Sequence, residues 1–425
     1  MIKGLSEYFE QAYTKSISRN INYNVCSPSY AMATKSKSKI NSSEELIQKM
    51  EVARGSKIVS YVLGDRAISF PMINLPQVQM AEDAIRPMYD HLLKLGKQEK
   101  IDLFIYSRGG DVSVPWRIVS MFREFCDEFS VIVPYRAHSA ATLVSIGADK
   151  IIMGKKGELG PIDPALTRVE QGKPSMVIAA EDVNSYLSLV KEKANLNDQQ
   201  AVSQMMSILA QQVSPVFLGT IHRTNSHIRL VARKLLSSRK EKVDENKLNS
   251  LISTLTEQIY FHGHGIGRRE ARDIDLPVVN AEDIGVGFEQ DVWNLYRNYE
   301  EYLNLQDPID VHDDFQANDE VVLQNQPLAI IESSTQRHEY RASMKLKQMR
   351  NIPQNLQINA SLNLQVPQPP SSGQQPASAQ QNILQILLGQ VQSMIPQIVK
   401  NEVARQSPVA FYSIELHSGK WTKVK

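Results

Sequence analysis

The sequence predicts an α/β fold with a mainly parallel sheet, and three observations support this prediction. From residue 57 to residue 154, short β-rich runs alternate with segments whose apolar residues have helical spacing. The runs "LFIY" (103–106) and "VIV" (131–133) are apolar at every position, which is typical of strands covered on both faces. Helices of this length between strands are the usual crossover connections of a parallel sheet.

Each predicted element is bounded by turn residues or by a change in apolar spacing. "KIVSYVL" at 57–63 predicts the first strand, and "AEDAIRPMYDHLLKL" at 81–95 predicts the helix that follows it. The same two patterns then repeat along the chain. They predict strands at 101–107, 130–135 and 150–154 and helices at 114–126 and 139–148. The segment 178–260 is predicted to be mostly helical, which gives the core a helical extension.

Composition changes divide the chain into five parts. Residues 1–55 form a polar N-terminal arm, and 56–305 form the globular α/β domain. An extension follows at 306–353, for which β structure is considered. The Gln/Pro/Ser-rich stretch 354–382 cannot bury a core and is expected to be a disordered linker. The last part, 383–425, is expected to be a small C-terminal module of an amphipathic helix and a hairpin around Ser418–Gly419.

Charge and cysteine content exclude several classes of protein. The net charge of +1 suggests neither nucleic acid nor an anionic membrane as a partner. The basic helix at 227–242 is interpreted as a solvated face with an apolar stripe. Cys26 and Cys126 are too few for a disulfide framework, and no apolar run is long enough to span a bilayer. With no secretory leader pattern at the N-terminus, a cytoplasmic protein is expected.

Two adjacent glycines follow the second predicted strand. Gly109 and Gly110 stand between a strand and a helix, where backbone without a side chain can approach a ligand closely. Their N–H groups could donate hydrogen bonds to a carbonyl oxygen or to a developing oxyanion. A simple strand-to-helix turn explains the pair equally well at this point.

Ser139 stands at a second junction of the same kind. A serine at a helix N-terminus is most often a cap that accepts a backbone hydrogen bond. Two features favour a nucleophile instead. The residues after it are small, and the preceding apolar strand would deliver Ser139 to the carboxyl end of a parallel sheet, where such folds bind ligands.

A nucleophilic serine needs a base and a group that orients this base. Asp163 in "GPIDP" is a candidate orienting acid, although Asp before proline is also a common turn residue. His262 and His264 alternate with glycines in a predicted loop and are candidate bases. His138 is adjacent to Ser139 and is a poor candidate, since adjacent side chains point in different directions. No Cys or carboxylate cluster accompanies the two histidines, so no metal site is expected.

Five motifs in this order resemble the serine dehydrogenase proteinase family of the Clp-protease/crotonase superfamily, which is related to signal-peptide peptidase A. They are "GDRAISFPMINLP" (64–76), "LFIYSRGGDVSVPWRIV" (103–119), "VPYRAHSAATLVSIGADKIIMG" (133–154), "ELGPIDP" (158–164) and "HGHGIGRREARDIDLPV" (262–278). The resemblance covers roughly residues 57 to 290 and implies a Clp/crotonase-like fold. It is specific at the two central motifs and looser at the histidine motif.

The resemblance implies a serine peptidase with a triad in the chain order Ser–Asp–His. Position by position, Ser139 is the nucleophile, Asp163 the orienting acid and His262 the base, with His264 as the alternate. The oxyanion would lie against the N–H groups of Gly110 and Ala140, with Gly109 allowing the approach. Where the family has Ala-Gly-Thr after the serine, this chain has Ala140, Ala141 and Thr142, and the extra methyl would narrow the pocket or shift the helix.

Three alternatives remain open on the sequence alone. A Ser–Lys dyad needs a buried lysine, but Lys173 lies in a polar loop and Glu181 or Asp182 holds the aligned position. A crotonase-type acyl-CoA enzyme would use the same amides with glutamate acids or bases. A catalytically inactive protease-like scaffold is the third alternative, because the histidine motif departs from the family pattern.

The sequence also suggests which partners the protein binds. No dinucleotide fingerprint and no phosphate-binding loop occurs, so no cofactor is expected, and the substrate is expected to be a peptide or protein. A homo-oligomer is expected by analogy with other members of the fold. The C-terminal amphipathic helix is expected to dock on a partner protein or on a neighbouring copy.

Overall fold

The computed structural model describes residues 42–67, 78–162, 165–168, 176–189, 198–258, 263–311, 314–315, 319–351 and 377–425. It shows an α/β fold with a large, mainly parallel sheet, as the sequence predicts. Eight strands form this sheet: β1 (Lys57–Leu63), β2 (Gln98–Tyr106), β3 (Cys126–Val133), β5 (Lys150–Met153), β10 (Val278–Asn280), β11 (Glu320–Ser333), β12 (Gln336–Arg350) and β13 (Val409–Lys423).

Five shorter strands form two small sheets. They are β4 (Arg136–Ala137), β6 (Glu158–Leu159), β7 (Ala165–Arg168), β8 (Met176–Ala179) and β9 (Ile266–Gly267). The described helices are α1 (Ser43–Arg54), α2 (Ile85–Leu95), α3 (Val114–Phe125), α4 (Ala140–Ile146), α5 (Ala180–Ser188), α6 (Gln199–Gln212), α7 (Pro215–Ser237), α8 (Glu245–Ser253), α9 (Arg268–Asp273), α10 (Phe288–Tyr302) and α11 (Ala377–Gln406).

The order of strands in the main sheet is β10–β5–β3–β2–β1–β11–β12–β13. The pairings from β10 to β1 are parallel, and those from β1 to β13 are antiparallel. The carboxyl ends of β1, β2, β3 and β5 therefore meet at one edge. Parallel α/β sheets bind their ligands at this edge.

Both faces of the parallel part are covered, because side chains along a strand alternate between two cores. In β2, Leu103 and Ile105 lie in a core shared with α2, α3, α4, α7 and α8. Phe104 and Tyr106 lie in a second core, shared with α1 and α10. The continuous apolar runs of the sequence are thus strands buried on both sides.

Helix α1 lies within the stretch predicted to be a polar arm. A capping box starts it, since Ser42 accepts a hydrogen bond from the Glu45 N–H while the Glu45 carboxylate accepts one from the Ser42 N–H. Leu46, Ile47 and Met50 are buried in the second core. Only one side of this helix is apolar, so the segment is polar in its overall composition.

The C-terminal region differs from the sequence prediction in a second way. The predicted hairpin at Ser418–Gly419 is wrong, because residues 409–423 form the single strand β13 along β12. Arg341 pairs with Lys420 and Ser343 with His417, so β13 carries one extra residue there. Ser418 has a φ of 56°, which makes the Ser-Gly pair a β-bulge rather than a turn. Helix α11 begins at Ala377, and most of the predicted linker lies outside the described residues.

The basic helix at 227–242 behaves as predicted within α7 and the residues after it. Its apolar stripe is buried, with Ile228 and Leu235 at 1% and 0% exposure. Arg233 donates a hydrogen bond of 2.7 Å to Glu245 of α8. Among the described residues, no helix is both long and apolar enough to cross a membrane.

A buried histidine pair joins α2 to the hairpin β11–β12 and predicts acid sensitivity. His91 Nδ1 lies 2.8 Å from Ser333 Oγ, and His91 Nε2 lies 3.1 Å from His338 Nδ1. Burial and the charge on His338 lower the pKa of His91 to about 3. In the unfolded chain, His91 binds a proton near pH 6.5, whereas in the folded protein it stays neutral to a much lower pH. The folded state is therefore most stable relative to the unfolded state above about pH 6.5, and this stability falls as the pH drops below that value.

We expect the free energy of unfolding to fall by about 2 kcal/mol between pH 6.5 and pH 5 through this one group. His91→Gln should be less stable at neutral pH but should lose less stability on acidification. Denaturant unfolding of both proteins at the two pH values measures the difference. An equal acid loss in both proteins would show that His91 does not titrate as described.

Candidate active site

Ser139 occupies the short junction between β4 and α4. Its backbone has φ 51° and ψ −115°, a conformation that non-glycine residues rarely adopt. Ser139 stands at the N-cap position of α4, yet its side chain makes no capping hydrogen bond. The simple explanation of Ser139 as a helix cap therefore fails. Backbone strain of this kind persists only where the surrounding structure fixes the conformation, and such residues are concentrated at functional sites.

Gly109 lies directly against Ser139. Its φ is 117°, and a Cβ atom built on it would lie 2.7 Å from the Ser139 Cβ and 3.0 Å from the Oγ. No residue with a side chain fits there without displacing the serine. The strand β2 ends at Tyr106, so the carboxyl end of the second parallel strand delivers this glycine to the serine.

Gly110 is held by a backbone bridge to Met80, which precedes α2. The Met80 N–H donates to the Gly109 carbonyl, and the Asp111 N–H donates to the Met80 carbonyl, both at 2.8 Å. In this parallel bridge the N–H of Gly110 points away from Met80. A Cβ on Gly110 would collide with the Met80 backbone, so the close approach requires glycine.

Two backbone N–H groups at this junction have no acceptor among the described residues. No described residue accepts a hydrogen bond from the N–H of Gly110 or from that of Ala140, the first residue of α4. The first N–H groups of a helix have no partner within the helix, so they are available to a ligand. A carbonyl or oxyanion bound beside Ser139 would be a suitable acceptor.

A three-stranded sheet joins the described strands that flank the candidate triad residues in the sequence. β4 pairs with β6 in parallel, and β6 pairs with β9 in antiparallel. Ser139 follows the end of β4 by two residues, Asp163 follows the end of β6 by four, and His262 precedes β9 by four.

Thr142 ties the serine helix to the segment that leads to Asp163. Its Oγ1 lies 2.7 Å from the Ala137 carbonyl oxygen and accepts a hydrogen bond of 3.0 Å from the Gly160 N–H. Gly160 stands three residues before Asp163. The Ile162 N–H donates to the Leu255 carbonyl, which fixes the chain one residue before the aspartate.

The structure places only part of the predicted triad. Asp163 and His262 lie outside the described residues, so their roles remain predictions. His264 is exposed, and its Nε2 lies 2.8 Å from Glu270 Oε1 on α9. Among the described contacts, none joins His264 to Ser139. The alternate base thus has another partner in this structure.

The contacts of His138 do not support a role as the catalytic base. Its ring packs on Gly160, where a Cβ would lie 3.1 Å from the ring, and its Nε2 lies 3.2 Å from Glu158 Oε1 without hydrogen-bond geometry. Burial, with the charges on Arg108 and Arg136, lowers the pKa of His138, although Glu158 opposes this shift. The ring is therefore a neutral wall of the site.

A network of charged side chains lies next to the segments that carry Gly109 and Ser139. Asp65, just after β1, accepts hydrogen bonds of 2.7 Å from Tyr106 Oη and from Arg108 Nε. Arg136 Nη1 lies 3.6 Å from the same carboxylate, and its Nε donates to Glu158 at 3.2 Å. These ion pairs connect the residue before Gly109 with the strand before Ser139.

Sequence reasoning did not identify several of these residues. Met80, Glu158 and Asp65 act through contacts with distant parts of the chain, so no local pattern marks them. Thr142 was noted only as part of a small-residue run. Ala141, whose methyl was expected to narrow the pocket or shift the helix, is fully buried in the main core.

The residues required by the alternatives are only partly visible. Lys173, required for a Ser–Lys dyad, lies outside the described residues, and Asp182 is exposed on α5. Within the described ranges, no group of three or more His, Cys, Asp or Glu side chains is arranged to hold a metal ion.

Comparison with known proteins adds evidence independent of this geometry. The chain is 25% identical to an uncharacterised protein of Methanocaldococcus jannaschii over 260 residues, which are 60% of this chain and 78% of that protein. A second uncharacterised protein of the same organism is 27% identical over 124 residues, 28% of this chain and 41% of the relative. Residues 21–313 match the family described as ClpP-like SDH-type serine proteinase, and the chain belongs to this family.

Proposed function

We propose that this protein is a serine endopeptidase that hydrolyses peptide bonds through an acyl-enzyme on Ser139. The observation that carries the proposal is the strained, uncapped Ser139 beside Gly109 and two backbone N–H groups without an acceptor among the described residues. The family supplies the general activity of a serine protease. Asp163 and His262 are proposed to complete the triad, with His264 as the alternate base.

In the proposed mechanism, His262 acts first as a base, then as an acid and then as a base again. The neutral imidazole of His262 removes the Ser139 proton while the Oγ attacks the scissile carbonyl carbon. The carbonyl π electrons move to oxygen, and the resulting oxyanion accepts hydrogen bonds from the Gly110 and Ala140 N–H groups. The imidazolium then protonates the leaving amine as the C–N bond breaks. Water, activated by the same imidazole, hydrolyses the ester.

Asp163 has a supporting role in this scheme. Its carboxylate would accept a hydrogen bond from the Nδ1–H of His262, hold the ring in the useful tautomer and stabilise the imidazolium.

We also propose that the protein works in the cytoplasm as a homo-oligomer and that α11 docks on a partner protein or a second copy. Leu384 and Leu388 of α11 are 59% and 52% exposed, which supports such docking.

A fluorophosphonate probe tests the proposal without knowledge of the substrate. The rate of Ser139 labelling should fall by about 10³-fold or more in His262→Ala and in Asp163→Asn. His264→Ala and Lys173→Ala should label within about threefold of the wild type, a fold-change of under 1 kcal/mol.

Each other outcome selects another scheme. Loss of labelling in His264→Ala alone would make His264 the base, and loss in Lys173→Ala alone would establish the dyad. An unlabelled, folded wild-type protein would favour the inactive scaffold. Binding of coenzyme A thioesters without labelling would favour the crotonase alternative.

A further inference from the structure

An apolar cleft opens at the carboxyl end of β1. The space between its walls is about 540 Å³, a volume that includes open solvent. The apolar side chains on its walls come from four distant segments of the chain. They are Val78, Leu303, Leu305, Ile309, Met344 and Leu416. The strands β11 to β13 form one wall, so the C-terminal half of the chain completes the cleft.

The cleft wall contacts a residue next to the candidate active site. The Asp65 carboxylate, on this wall, accepts a hydrogen bond of 2.7 Å from the Nε of Arg108, the residue before Gly109. Val78 stands two residues before Met80, the residue that pairs with Gly109 and Asp111. Two extended residues span about 7 Å.

The charged groups at the cleft already have partners. The Asp65 carboxylate accepts from Tyr106 and Arg108, and the Arg66 Nε donates to the Asp307 carbonyl at 2.6 Å. What the walls offer a ligand is therefore mainly apolar surface, with the amides of Asn304 and Gln326 beside it. An apolar side chain gains about 1.5–3 kcal/mol when it is buried in such a site.

We infer that this cleft is a specificity site that receives an apolar side chain of the peptide substrate, a few residues from the bond that Ser139 attacks. The inference rests on the proposed function and adds the class of substrate. Asp65 and Val78 on the cleft wall connect it to the junction, Asp65 through its contact with Arg108 and Val78 through the nearby Met80. A leucine-sized or aromatic side chain is the ligand whose chemistry fits.

Digestion of a library of unstructured peptides tests the inference, with cleavage products read by mass spectrometry. The wild type should prefer leucine or phenylalanine to aspartate at one fixed position within four residues of the cleaved bond. Two variants alter the cleft without touching the candidate active site. Leu416→Asp places a charge on its wall, and Gln326→Trp fills it. Both should raise KM for the preferred peptides by about 10-fold or more.

Leu230→Asp on α7 is the matched control, since Leu230 is 49% exposed and lies outside the cleft. It should keep the wild-type preference. All variants should label with the small probe at the wild-type rate, which separates the two proposals. Normal labelling with no apolar preference, or an equal effect of Leu416→Asp and Leu230→Asp, would overturn the cleft assignment alone. Absent labelling of the wild type would overturn the proposed function and this inference with it.

Discussion

Replacing Ser139 with alanine is expected to abolish peptide hydrolysis, by about 10⁴-fold or more, and to leave the fold intact. The hydroxyl is the proposed nucleophile, so its loss removes the acyl-enzyme. Because the Ser139 side chain makes no capping hydrogen bond, the free energy of unfolding should change by less than about 1 kcal/mol, the usual cost of losing a serine cap. Peptide cleavage and denaturant unfolding measure the two effects.

Ser42 provides the matched control, because it caps α1 through a reciprocal hydrogen-bond pair with Glu45. Ser42→Ala should cost about 1 kcal/mol of stability and leave hydrolysis unchanged. The reverse result would contradict the proposed function. If Ser139→Ala lowered stability by a capping-sized amount and kept its activity, Ser139 would be a structural residue.

Gly109→Ala is the second substitution for which we expect a large effect. The new methyl would lie 2.7 Å from the Ser139 Cβ, at a φ of 117° that alanine rarely adopts. Strain and overpacking together should cost about 2–4 kcal/mol of stability. The serine must also move, so labelling should fall by at least about 100-fold, since misplaced reacting atoms cost rate steeply.

Gly55→Ala is a control that separates the effect of backbone strain from the effect of a steric contact. Gly55 also has a positive φ of 61°, but a Cβ there would meet no atom within 4 Å. This variant should lose about 1 kcal/mol and label normally. Wild-type labelling in a folded Gly109→Ala protein would show that the close approach of Gly109 to Ser139 does not matter for the chemistry.

The parallel core was predictable because its signals are local. Strands β1, β2, β3 and β5 contain short apolar runs and are separated by helices. The apolar residues of each run are enough to predict that the strand is buried. The residues of the junction were predictable for a related reason. Glycines after a strand allow a close backbone approach, and the structure places Gly109 directly against Ser139.

The extra strands of the sheet could not be assigned in the same way. β11 lies beside β1 and β12 beside β11, and this placement depends on the pairing of β11 with a strand far away in sequence. The Ser418–Gly419 pair has turn chemistry, but pairing along all of β12 makes it a bulge. Helix α1 is mostly polar because it uses one narrow stripe to cover the sheet.

In the site, the contacts that position Ser139 come from distant parts of the chain. Glu158 approaches Arg136 and His138 and also packs against Gly265, where a Cβ would lie 2.9 Å from its carboxylate. It thereby joins the serine strand to the histidine segment. No spacing of residues in the sequence predicts such a contact. Asp163 and His262 themselves stay predictions from the family motif.

A crystal structure of the protein after reaction with a fluorophosphonate tests the central claim most directly. We predict a covalent adduct on Ser139 Oγ, with a phosphoryl oxygen about 2.7–3.1 Å from the Gly110 and Ala140 nitrogens. The imidazole of His262 should lie within hydrogen-bond reach of the Oγ, with the Asp163 carboxylate behind it. An adduct on another residue, or a phosphoryl oxygen directed away from both amides, would contradict the account.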